Sequence, residues 1–333
     1  MKIGINGFGR VGKQVFKALA ERYPEIQVKQ INDIASASTL AHLLKYDSNY
    51  GIYPKEVKST PTGIMVDNEV IQVTNVSTIG AIPWDPSIDL IIESTGLFTA
   101  RKDAAMHLND TIKHVIITAP SKDADAMIVL GVNEGILDPG KHQVISNASC
   151  TTNSLAPVVK VLHENYHLER GFMTTVHSYT SDQRILDLPH KDPRRARAAA
   201  INIIPTTTGA ANAVGIVIPE LSGKLTGISL RVPTPTVSIT DFVCTVTKPT
   251  SVDEVNHVLE EASKTTLKGI LGFTMEPLVS SDYKGSSMSG VIDGLITNVV
   301  DGMFIKILSW YDNEWGYSCR VADLADYLRK KNQ

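Results

Sequence analysis

Short apolar runs and amphipathic helical patterns alternate over the first 148 residues of the chain. The first apolar run, residues 2–6, leads into a helical pattern over residues 11–23. Five further runs have the length of buried strands, and they cover residues 25–31, 90–93, 114–118, 126–132 and 143–145. Buried strands that alternate with helices predict an α/β fold with a doubly wound, Rossmann-type parallel sheet.

Three segments fill the space between these strands. Residues 35–46 and 101–108 have helical patterns, and the second of them predicts a crossover helix between two strands. Residues 57–73 contain turn signals at Pro61-Thr62-Gly63 and at Asp67-Asn68, which predict a strand meander.

The pattern changes near residue 149. A helical pattern starts at Thr151, a strand is predicted at 171–177, and a long polar loop covers 178–201. The rest of the chain has alternating strand patterns at residues 224–247 and 290–310. It also has a helical pattern at 252–267 and a closing helix at 318–331. We therefore expect an α+β second domain with a large mixed or antiparallel sheet. Long loops without secondary structure are usually functional.

Composition narrows the class of protein. With 333 residues the chain is long enough for two domains, and its formal net charge of -3 provides no bulk attraction to nucleic acid or to anionic membranes. Its three cysteines are too few and too scattered for a disulfide framework or a metal site, so we expect no metal and a reducing compartment. No apolar run approaches the length of a membrane span, and the early first strand leaves no room for a signal peptide. These features predict a cytoplasmic protein.

A glycine-rich turn joins the first strand to the first helix. Gly7, Gly9 and Gly12 form a GxGxxG pattern, and Asp33 follows about twenty residues later at the end of the next strand. In this context the pattern predicts a dinucleotide site, in which the glycines make the tight turn, admit the pyrophosphate and pack the helix closely. The carboxylate of Asp33 can accept hydrogen bonds from ribose hydroxyls and would repel a 2′-phosphate. We therefore expect NAD rather than NADP.

Cys150 is the strongest candidate for covalent chemistry. It lies where a strand turns into a helix, and the free N–H groups and positive dipole end of a helix favour a thiolate. A thiolate is the nucleophilic form of cysteine. The local sequence is equally compatible with a buried, inert cysteine, which is the commoner case.

Longer motifs identify a family resemblance. The chain closely resembles the phosphorylating, NAD-dependent glyceraldehyde-3-phosphate dehydrogenases of glycolysis over essentially its whole length. The resemblance is carried by Ile5-Asn6-Gly7-Phe8-Gly9-Arg10, Ala148-Ser149-Cys150-Thr151-Thr152-Asn153, Thr175-Val176-His177-Ser178-Tyr179-Thr180, Arg194-Arg195-Ala196-Arg197-Ala198-Ala199, Pro205-Thr206-Thr207-Thr208-Gly209-Ala210, Arg231-Val232-Pro233-Thr234-Pro235 and Trp310-Tyr311-Asp312-Asn313-Glu314. It implies an NAD-binding domain at 1–148, to which a C-terminal helix of about 316–333 returns, and a catalytic domain at 149–315.

The resemblance also implies an activity, which is the oxidation of D-glyceraldehyde 3-phosphate with NAD and inorganic phosphate to 1,3-bisphosphoglycerate. Cys150 would form a hemithioacetal and then a thioester, with His177 as the general base. Arg231 and Thr180 resemble the ligands of the substrate phosphate, and Asp182 resembles a residue that orients that site. The residues that resemble ligands of inorganic phosphate are Ser149, Thr151, Arg195, Thr208 and Gly209. Without the resemblance, the three arginines at 194, 195 and 197 would be read as a solvated basic loop.

The remaining implications concern the cofactor and the assembly. Asn313 resembles the residue that binds the nicotinamide carboxamide, and Leu188-Pro189 resembles a pair found in NAD-specific members. Other expected cofactor ligands, besides the glycines and Asp33, are Arg10, Val11, Ser94, Thr95, Gly96 and Thr118. The family is usually a homotetramer, and the 178–201 loop is a plausible subunit contact.

Two departures from the family pattern are clear. Ser154 stands where many relatives have a second cysteine, and Asn75 or a near neighbour stands where an arginine often supports the adenine pocket. Three alternatives remain at this stage: an erythrose-4-phosphate dehydrogenase, an acyl-phosphate reductase that shares only the architecture, and a non-catalytic NAD-binding or nucleic-acid-binding protein.

Overall fold

The computed structural model describes residues 1–332, and the chain divides into two compact units. Unit 1 contains residues 1–128 and 135–148 together with the chain from residue 318 onward, and unit 2 contains residues 129–134 and 149–317. Among the described residues, no helix is long and apolar enough to cross a membrane.

Unit 1 is built on one nine-stranded sheet and one short two-stranded sheet. Its strands are β1 (Lys2–Asn6), β2 (Gln27–Asn32), β3 (Tyr46–Asp47), β4 (Gly51–Ile52), β5 (Val57–Thr60), β6 (Gly63–Val66), β7 (Glu69–Thr74), β8 (Leu90–Glu93), β9 (His114–Ile117), β10 (Ala126–Met127) and β11 (Val144–Ser146). Its helices before residue 148 are α1 (Arg10–Arg22), α2 (Ala37–Lys45) and α3 (Arg101–Ala104).

The order of the large sheet is β10-β11-β9-β8-β1-β2-β7-β6-β5. The seven strands from β10 to β7 pair in parallel, and the hairpins to β6 and β5 are antiparallel. The central strands β1, β8 and β9 are almost fully buried, as expected for strands covered on both faces. Their carboxyl ends carry Asn6, Glu93 and Thr118, so the polar groups of the predicted crevice lie at one edge.

Unit 2 is built on an eight-stranded mixed sheet. Its strands are β12 (Leu168–Ser178), β13 (Ile204–Thr207), β14 (Leu225–Val232), β15 (Ser238–Val246), β16 (Leu271–Thr274), β17 (Gly290–Asp293), β18 (Asn298–Val300) and β19 (Phe304–Tyr311). Its helices are α4 (Cys150–Tyr166), α5 (Ala210–Val217) and α6 (Val252–Lys264). The sheet order is β13-β14-β12-β15-β19-β17-β16, with β18 also paired to β19.

The last helix, α7 (Trp315–Lys331), belongs to unit 1 from residue 318 onward, where it contacts the end of α1. Asp323 accepts hydrogen bonds from the guanidinium of Arg22 at 3.0 Å and from the hydroxyl of Tyr23 at 2.7 Å. Arg329 forms an ion pair with Glu25 at 3.1 Å. These contacts fix the end of the chain to the segment that joins the first helix to β2.

The predicted α/β class is confirmed, with a parallel-rich sheet in unit 1 and a mixed sheet in unit 2. The strand predicted at 126–132 is wrong beyond Met127, because residues 129–134 leave the sheet and turn at Gly131, whose φ is 82°. The predicted crossover helix at 101–108 is regular only to Ala104 and ends in a 3₁₀ turn. The sequence pattern does not predict β13, α5 or β16, because these elements are short and contain few residues of periodic pattern.

Candidate active site

Cys150 is the first residue of α4, as the sequence predicts. Ser149 caps this helix: its hydroxyl accepts a hydrogen bond from the backbone N–H of Thr152 at 3.0 Å. The N–H groups of the first helical turn point toward the start of the helix, where they favour negative charge. The side chain of Cys150 therefore lies at the positive end of a seventeen-residue helix.

His177 faces Cys150 from the neighbouring strand β12. Its Nε2 lies 3.5 Å from the sulfur of Cys150, within hydrogen-bond reach for a thiol. The imidazole is 4% exposed and contacts the ring of Tyr311 edge-on. The structure thus brings together the sulfur and the imidazole, which lie 27 positions apart in the chain and which the resemblance implies as nucleophile and base.

The other ring nitrogen of His177 lies close to Ser178 and Arg231; it can donate to the carbonyl of the first or accept from the guanidinium of the second, but not both at once. The carbonyl of Ser178 lies 2.7 Å from Nδ1, and the Nη1 of Arg231 lies 2.6 Å from the same nitrogen. Arg231 reaches this position because β12 and β14 pair in parallel with His177 opposite Arg231. The register of the sheet therefore places a guanidinium directly behind the imidazole.

Burial shifts the pKa values of the two groups in opposite directions, and the charge of Arg231 lowers both. Burial raises the pKa of the Cys150 thiol, while the charge of Arg231 and the hydroxyl of Thr151 lower it. Burial, with the charge of Arg231, lowers the pKa of His177 to about 3. The start of the helix favours a thiolate at Cys150, but burial of the sulfur gives that thiolate a desolvation cost. Transfer of the proton from sulfur to Nε2 would place opposite charges 3.5 Å apart, and their attraction offsets part of that cost.

Tyr311 is a structural part of the site that sequence reasoning missed. Its buried hydroxyl lies 2.9 Å from the hydroxyl of Thr151 on α4 and 2.9 Å from that of Thr175 on β12. It therefore ties the helix that carries Cys150 to the strand that carries His177. The motif Trp310-Tyr311-Asp312 contained the signal, but nothing in the sequence pairs residue 311 with residues 151 and 175.

The residues predicted to bind inorganic phosphate lie around two helix starts. Thr152 of α4 donates from its hydroxyl to the carbonyl of Ala210, the first residue of α5, at 3.3 Å. The start of α4, with Ser149 and Thr151, is therefore adjacent to the start of α5, with Thr208 and Gly209. Gly209 is the N-cap of α5 and offers no side-chain cap, and the first N–H of the helix, that of Ala210, donates to the hydroxyl of Thr208 at 3.2 Å. The start of α5 still favours a nearby anion through its dipole.

Arg195 lies beside this pair of helix starts. Its Nε donates to the hydroxyl of Thr206 at 2.9 Å, and its Nη1 is paired with Asp182. Asp182 also accepts from the Nε2 of His190 at 3.3 Å. By contrast, the side chain of Arg197 is 62% exposed and pairs with Asp187, as expected for a solvated basic loop.

Two further predicted residues have defined partners. The backbone N–H of Thr180 donates to Gln183 at 3.2 Å, next to the Asp182 cluster. The side-chain oxygen of Asn313 accepts from the hydroxyls of Ser178 at 2.9 Å and Ser238 at 3.0 Å. These bonds orient the amide of Asn313 so that its NH2 group is directed away from both serines.

In unit 1, a cavity of about 310 Å³ lies at the carboxyl ends of β1, β2 and β8. Among its lining residues are the predicted ligands Gly7, Gly9, Asp33, Ser94 and Thr95. The other predicted cofactor residues of this unit lie outside the lining, and they are Arg10, Val11, Gly12, Gly96 and Thr118.

The glycines have the geometry that a dinucleotide requires. Gly7 has a φ of 87°, and a Cβ at Gly12 would lie 2.1 Å from the carbonyl oxygen of Gly7. Gly9 is the N-cap of α1 without a side-chain cap, which leaves the helix start open for a pyrophosphate. Arg10, at the first helical position, is paired with Asp47 at 2.8 Å. These residues fit the phosphates of a dinucleotide.

Asp33 is held at the edge of the cavity by two backbone donors. Its Oδ2 accepts from the N–H of Phe8 at 2.7 Å, and its Oδ1 accepts from the N–H of Ala35 at 2.9 Å. Each oxygen retains a lone pair that can accept from a ribose hydroxyl. Among the residues that the structure describes, no group of three or more histidine, cysteine or acidic side chains is placed to hold a metal ion.

Comparison with known proteins gives a consistent result. Residues 1–101 match the family of glyceraldehyde 3-phosphate dehydrogenase NAD-binding domains, and residues 149–313 match the family of the corresponding C-terminal domains. The chain is 56% identical over 332 residues to the glyceraldehyde-3-phosphate dehydrogenase of Geobacillus stearothermophilus, with 99% of both chains covered. It is 53% identical to glyceraldehyde-3-phosphate dehydrogenase 1 of Bacillus subtilis, again with 99% of both chains covered. It is 54% identical to the enzyme of the same name from Borreliella burgdorferi, with 99% of this chain and 100% of the relative covered.

These matches confirm the resemblance and NAD as the cofactor predicted from the glycine-rich turn. The agreement covers both units and includes the segments that carry Cys150, His177 and Asp33. The chain therefore belongs to the glyceraldehyde-3-phosphate dehydrogenase family.

Proposed function

We propose that this protein oxidises and phosphorylates D-glyceraldehyde 3-phosphate, using NAD and inorganic phosphate, to give 1,3-bisphosphoglycerate and NADH in glycolysis and gluconeogenesis. One observation carries the proposal. The sulfur of Cys150, at the start of α4, lies 3.5 Å from the Nε2 of His177. A nucleophile and a base in contact, with arginines close by, suit acyl chemistry on a phosphorylated aldehyde.

In the proposed reaction, the thiolate of Cys150 adds to the aldehyde carbon and forms a hemithioacetal. His177 takes the proton of the hemithioacetal hydroxyl, and collapse of the alkoxide releases hydride, which NAD accepts when it is bound. The carbon remains attached to sulfur as a thioester. Inorganic phosphate attacks this thioester, the carbon–sulfur bond breaks, and Cys150 is regenerated with the acyl phosphate as product. The backbone N–H of Cys150 can stabilise the oxyanions of both addition steps.

We assign Arg231 and Arg195 to two different anion sites. We assign the substrate phosphate to Arg231 and Thr180, with Asp182 as an orienting residue. We assign inorganic phosphate to Arg195 with the two adjacent helix starts, whose residues are Ser149, Thr151, Thr208 and Gly209. The planar guanidinium fork and neutral hydroxyl donors both suit phosphate oxygens.

For the cofactor, we propose that the open start of α1, with Gly7, Gly9, Arg10, Val11 and Gly12, binds the pyrophosphate. Asp33 would accept from the adenosine ribose, and the NH2 group of Asn313 would donate to the nicotinamide carboxamide. The residues Ser94, Thr95, Gly96 and Thr118 would lie along the cofactor. We further propose residues 1–148 with the helix of about 316–333 as the NAD-binding domain, and residues 149–315 as the catalytic domain.

We also propose a cytoplasmic homotetramer, on the basis of family membership and of apolar surface in unit 2. The 178–201 loop exposes Ile185 by 86% and Leu186 by 75%, together with Leu188. The sheet exposes Phe172 of β12, Ile228 of β14 and Phe304 of β19. Exposed apolar groups at this density are typical of interfaces between subunits.

The direct assay measures NADH formation with glyceraldehyde 3-phosphate, with and without inorganic phosphate. We expect sustained turnover only when phosphate is present, and loss of turnover in Cys150→Ser. Cys244→Ala, a change at a buried cysteine in β15, is the matched control and should retain activity. Preference for erythrose 4-phosphate would favour the alternative dehydrogenase, and NADH formation in Cys150→Ser would refute the proposed mechanism.

A further inference from the structure

The Asp33 carboxylate is the only charged side chain among the residues that line the cavity of unit 1. No lysine or arginine lines it, so nothing in the lining would neutralise a 2′-phosphate placed beside Asp33. Discrimination against such a phosphate therefore depends on where the carboxylate of Asp33 is held. A carboxylate that could rotate away would repel the phosphate less.

The position of that carboxylate depends on the loop that follows β2. One of its two backbone donors, the N–H of Phe8, belongs to the glycine-rich turn. The other, the N–H of Ala35, belongs to the loop itself and reaches Oδ1 only when the loop folds back over residues 33–35. The conformation of this three-residue loop thus fixes one side of the carboxylate.

The side chain of Asn75, which is not part of this loop, binds the loop backbone. It follows β7, and its Nδ2 lies 2.7 Å from the carbonyl oxygen of Asp33 and 2.6 Å from that of Ala35. Both partners are carbonyl oxygens, which only accept, so the amide must present its NH2 group to them. The two N–H bonds of one side chain therefore bind both ends of the loop.

We propose that Asn75 is a positioning residue for cofactor specificity, which fixes the Asp33 carboxylate by holding the two ends of the 33–35 loop. The inference rests on the proposed use of NAD. It predicts that Asn75 acts through Asp33 and has no contact with the 2′ position of its own. Its side chain is neutral, so it leaves the negative charge of Asp33 without a counter-ion. Loss of its amide frees the loop, weakens the hold of Asp33 on the ribose, and reduces repulsion of a 2′-phosphate.

The test is calorimetric titration of the full protein with NAD and with NADP, which measures binding independently of turnover. In Asn75→Ala we expect the ratio of the two dissociation constants to shift toward NADP by about three- to tenfold, the factor of one ordinary hydrogen bond. The matched control is Asn68→Ala, an exposed asparagine in the turn between β6 and β7 of the same unit, and its ratio should not change. An unchanged ratio in Asn75→Ala would overturn the inference.

A double-mutant cycle separates positioning from direct contact. If Asn75 acts through Asp33, then Asn75→Ala should not alter the NAD-to-NADP ratio further in a protein that already carries Asp33→Ala. Equal effects of Asn75→Ala in both backgrounds would overturn the proposal. Turnover with saturating NAD reports separately on the proposed function: an unmodified protein that binds NAD but forms no NADH would refute that function and leave this inference standing.

Discussion

Glu93 is a buried carboxyl group at the end of β8, and its replacement by glutamine tests how the cofactor unit is held together. The side chain is 2% exposed. Its Oε2 accepts from the Nδ2 of Asn6 at 2.6 Å and lies 3.0 Å from the Nε2 of His107. Its Oε1 accepts from the backbone N–H of Thr95 at 2.9 Å and from the Thr95 hydroxyl. Four donors surround one carboxylate.

The direction of the His107 bond follows from its other nitrogen. The Nε1–H of Trp84 can only donate, and it reaches the Nδ1 of His107 at 3.1 Å. Nδ1 is therefore the acceptor, so Nε2 carries the proton and donates to Glu93. If the NH2 group of the glutamine replaced Oε2, it would face two donors, Asn6 and His107. If it replaced Oε1, the hydroxyl of Thr95 could rotate to accept from it, and only the Thr95 N–H would lose its partner.

The glutamine should therefore place its NH2 group toward Thr95, and this orientation determines how much stability is lost. One buried N–H without a partner costs about 1–3 kcal/mol, and the remaining bonds lose the strengthening that a charged acceptor provides. We expect Glu93→Gln to lower the free energy of unfolding by about 2–3 kcal/mol. For a unit of this size that corresponds to roughly 4–12 °C in melting temperature. Affinity for NAD should fall as well, because Asn6 and Thr95 line the cavity.

Differential scanning calorimetry at fixed protein concentration, without cofactor, measures the melting temperature. Glu69→Gln is the matched control, since Glu69 is an exposed residue at the start of β7 and its replacement should change stability by about 0.5 kcal/mol at most. Equal melting temperatures for Glu93→Gln and Glu69→Gln would refute the reasoning. They would mean that the four donors are satisfied as well by an amide as by a carboxylate.

Three further predictions concern the site around Cys150 in unit 2. His177→Asn removes the partner that can become an imidazolium, so the midpoint of Cys150 alkylation against pH should move to higher pH, and hydride transfer should slow by roughly 10²–10⁴; an unchanged midpoint would contradict the pairing. Arg231→Leu should mainly weaken use of the aldehyde phosphate, and Arg195→Leu should mainly impair phosphate-dependent deacylation, each by roughly 10- to 100-fold; identical defects in burst and phosphate-dependence experiments would contradict the two-site assignment. Mild peroxide should convert Cys150 to a sulfinic acid, or to a mixed disulfide when glutathione is present. The other two cysteines should not form a disulfide with Cys150, because burial raises their pKa values to about 12. A disulfide within the chain as main product would contradict this.

The sequence predicted those parts of the molecule that depend on local pattern. The strand at Lys2–Asn6, the open glycine-rich turn and the helix start at Cys150 were all readable because each rests on neighbouring residues. The pairing of Cys150 with His177 came from family motifs, since no local pattern relates residues 27 positions apart. Strand 126–132 was predicted too long, because an apolar run does not show where a chain leaves a sheet.

Contacts between distant residues could not be predicted in this way. The hydroxyl of Tyr311 joins two threonines that lie 160 and 136 positions away, and the order of the strands decides that they meet. Asn75 was recognised as a departure from the family pattern, but its role depends on the backbone path of the loop after β2. The buried position of Glu93 likewise appears only once β1 and β8 are paired.

The covalent intermediate on Cys150 is the central claim, and one rapid-mixing experiment tests it most directly. The protein with bound NAD is mixed with glyceraldehyde 3-phosphate in the absence of inorganic phosphate, and the quenched protein is digested for peptide mass spectrometry. We predict a burst of NADH close to one equivalent of chain, with the acyl group on the peptide that contains Cys150, followed by turnover when phosphate is added. A burst without acylated Cys150, or steady turnover without phosphate and without acylation, would contradict the account.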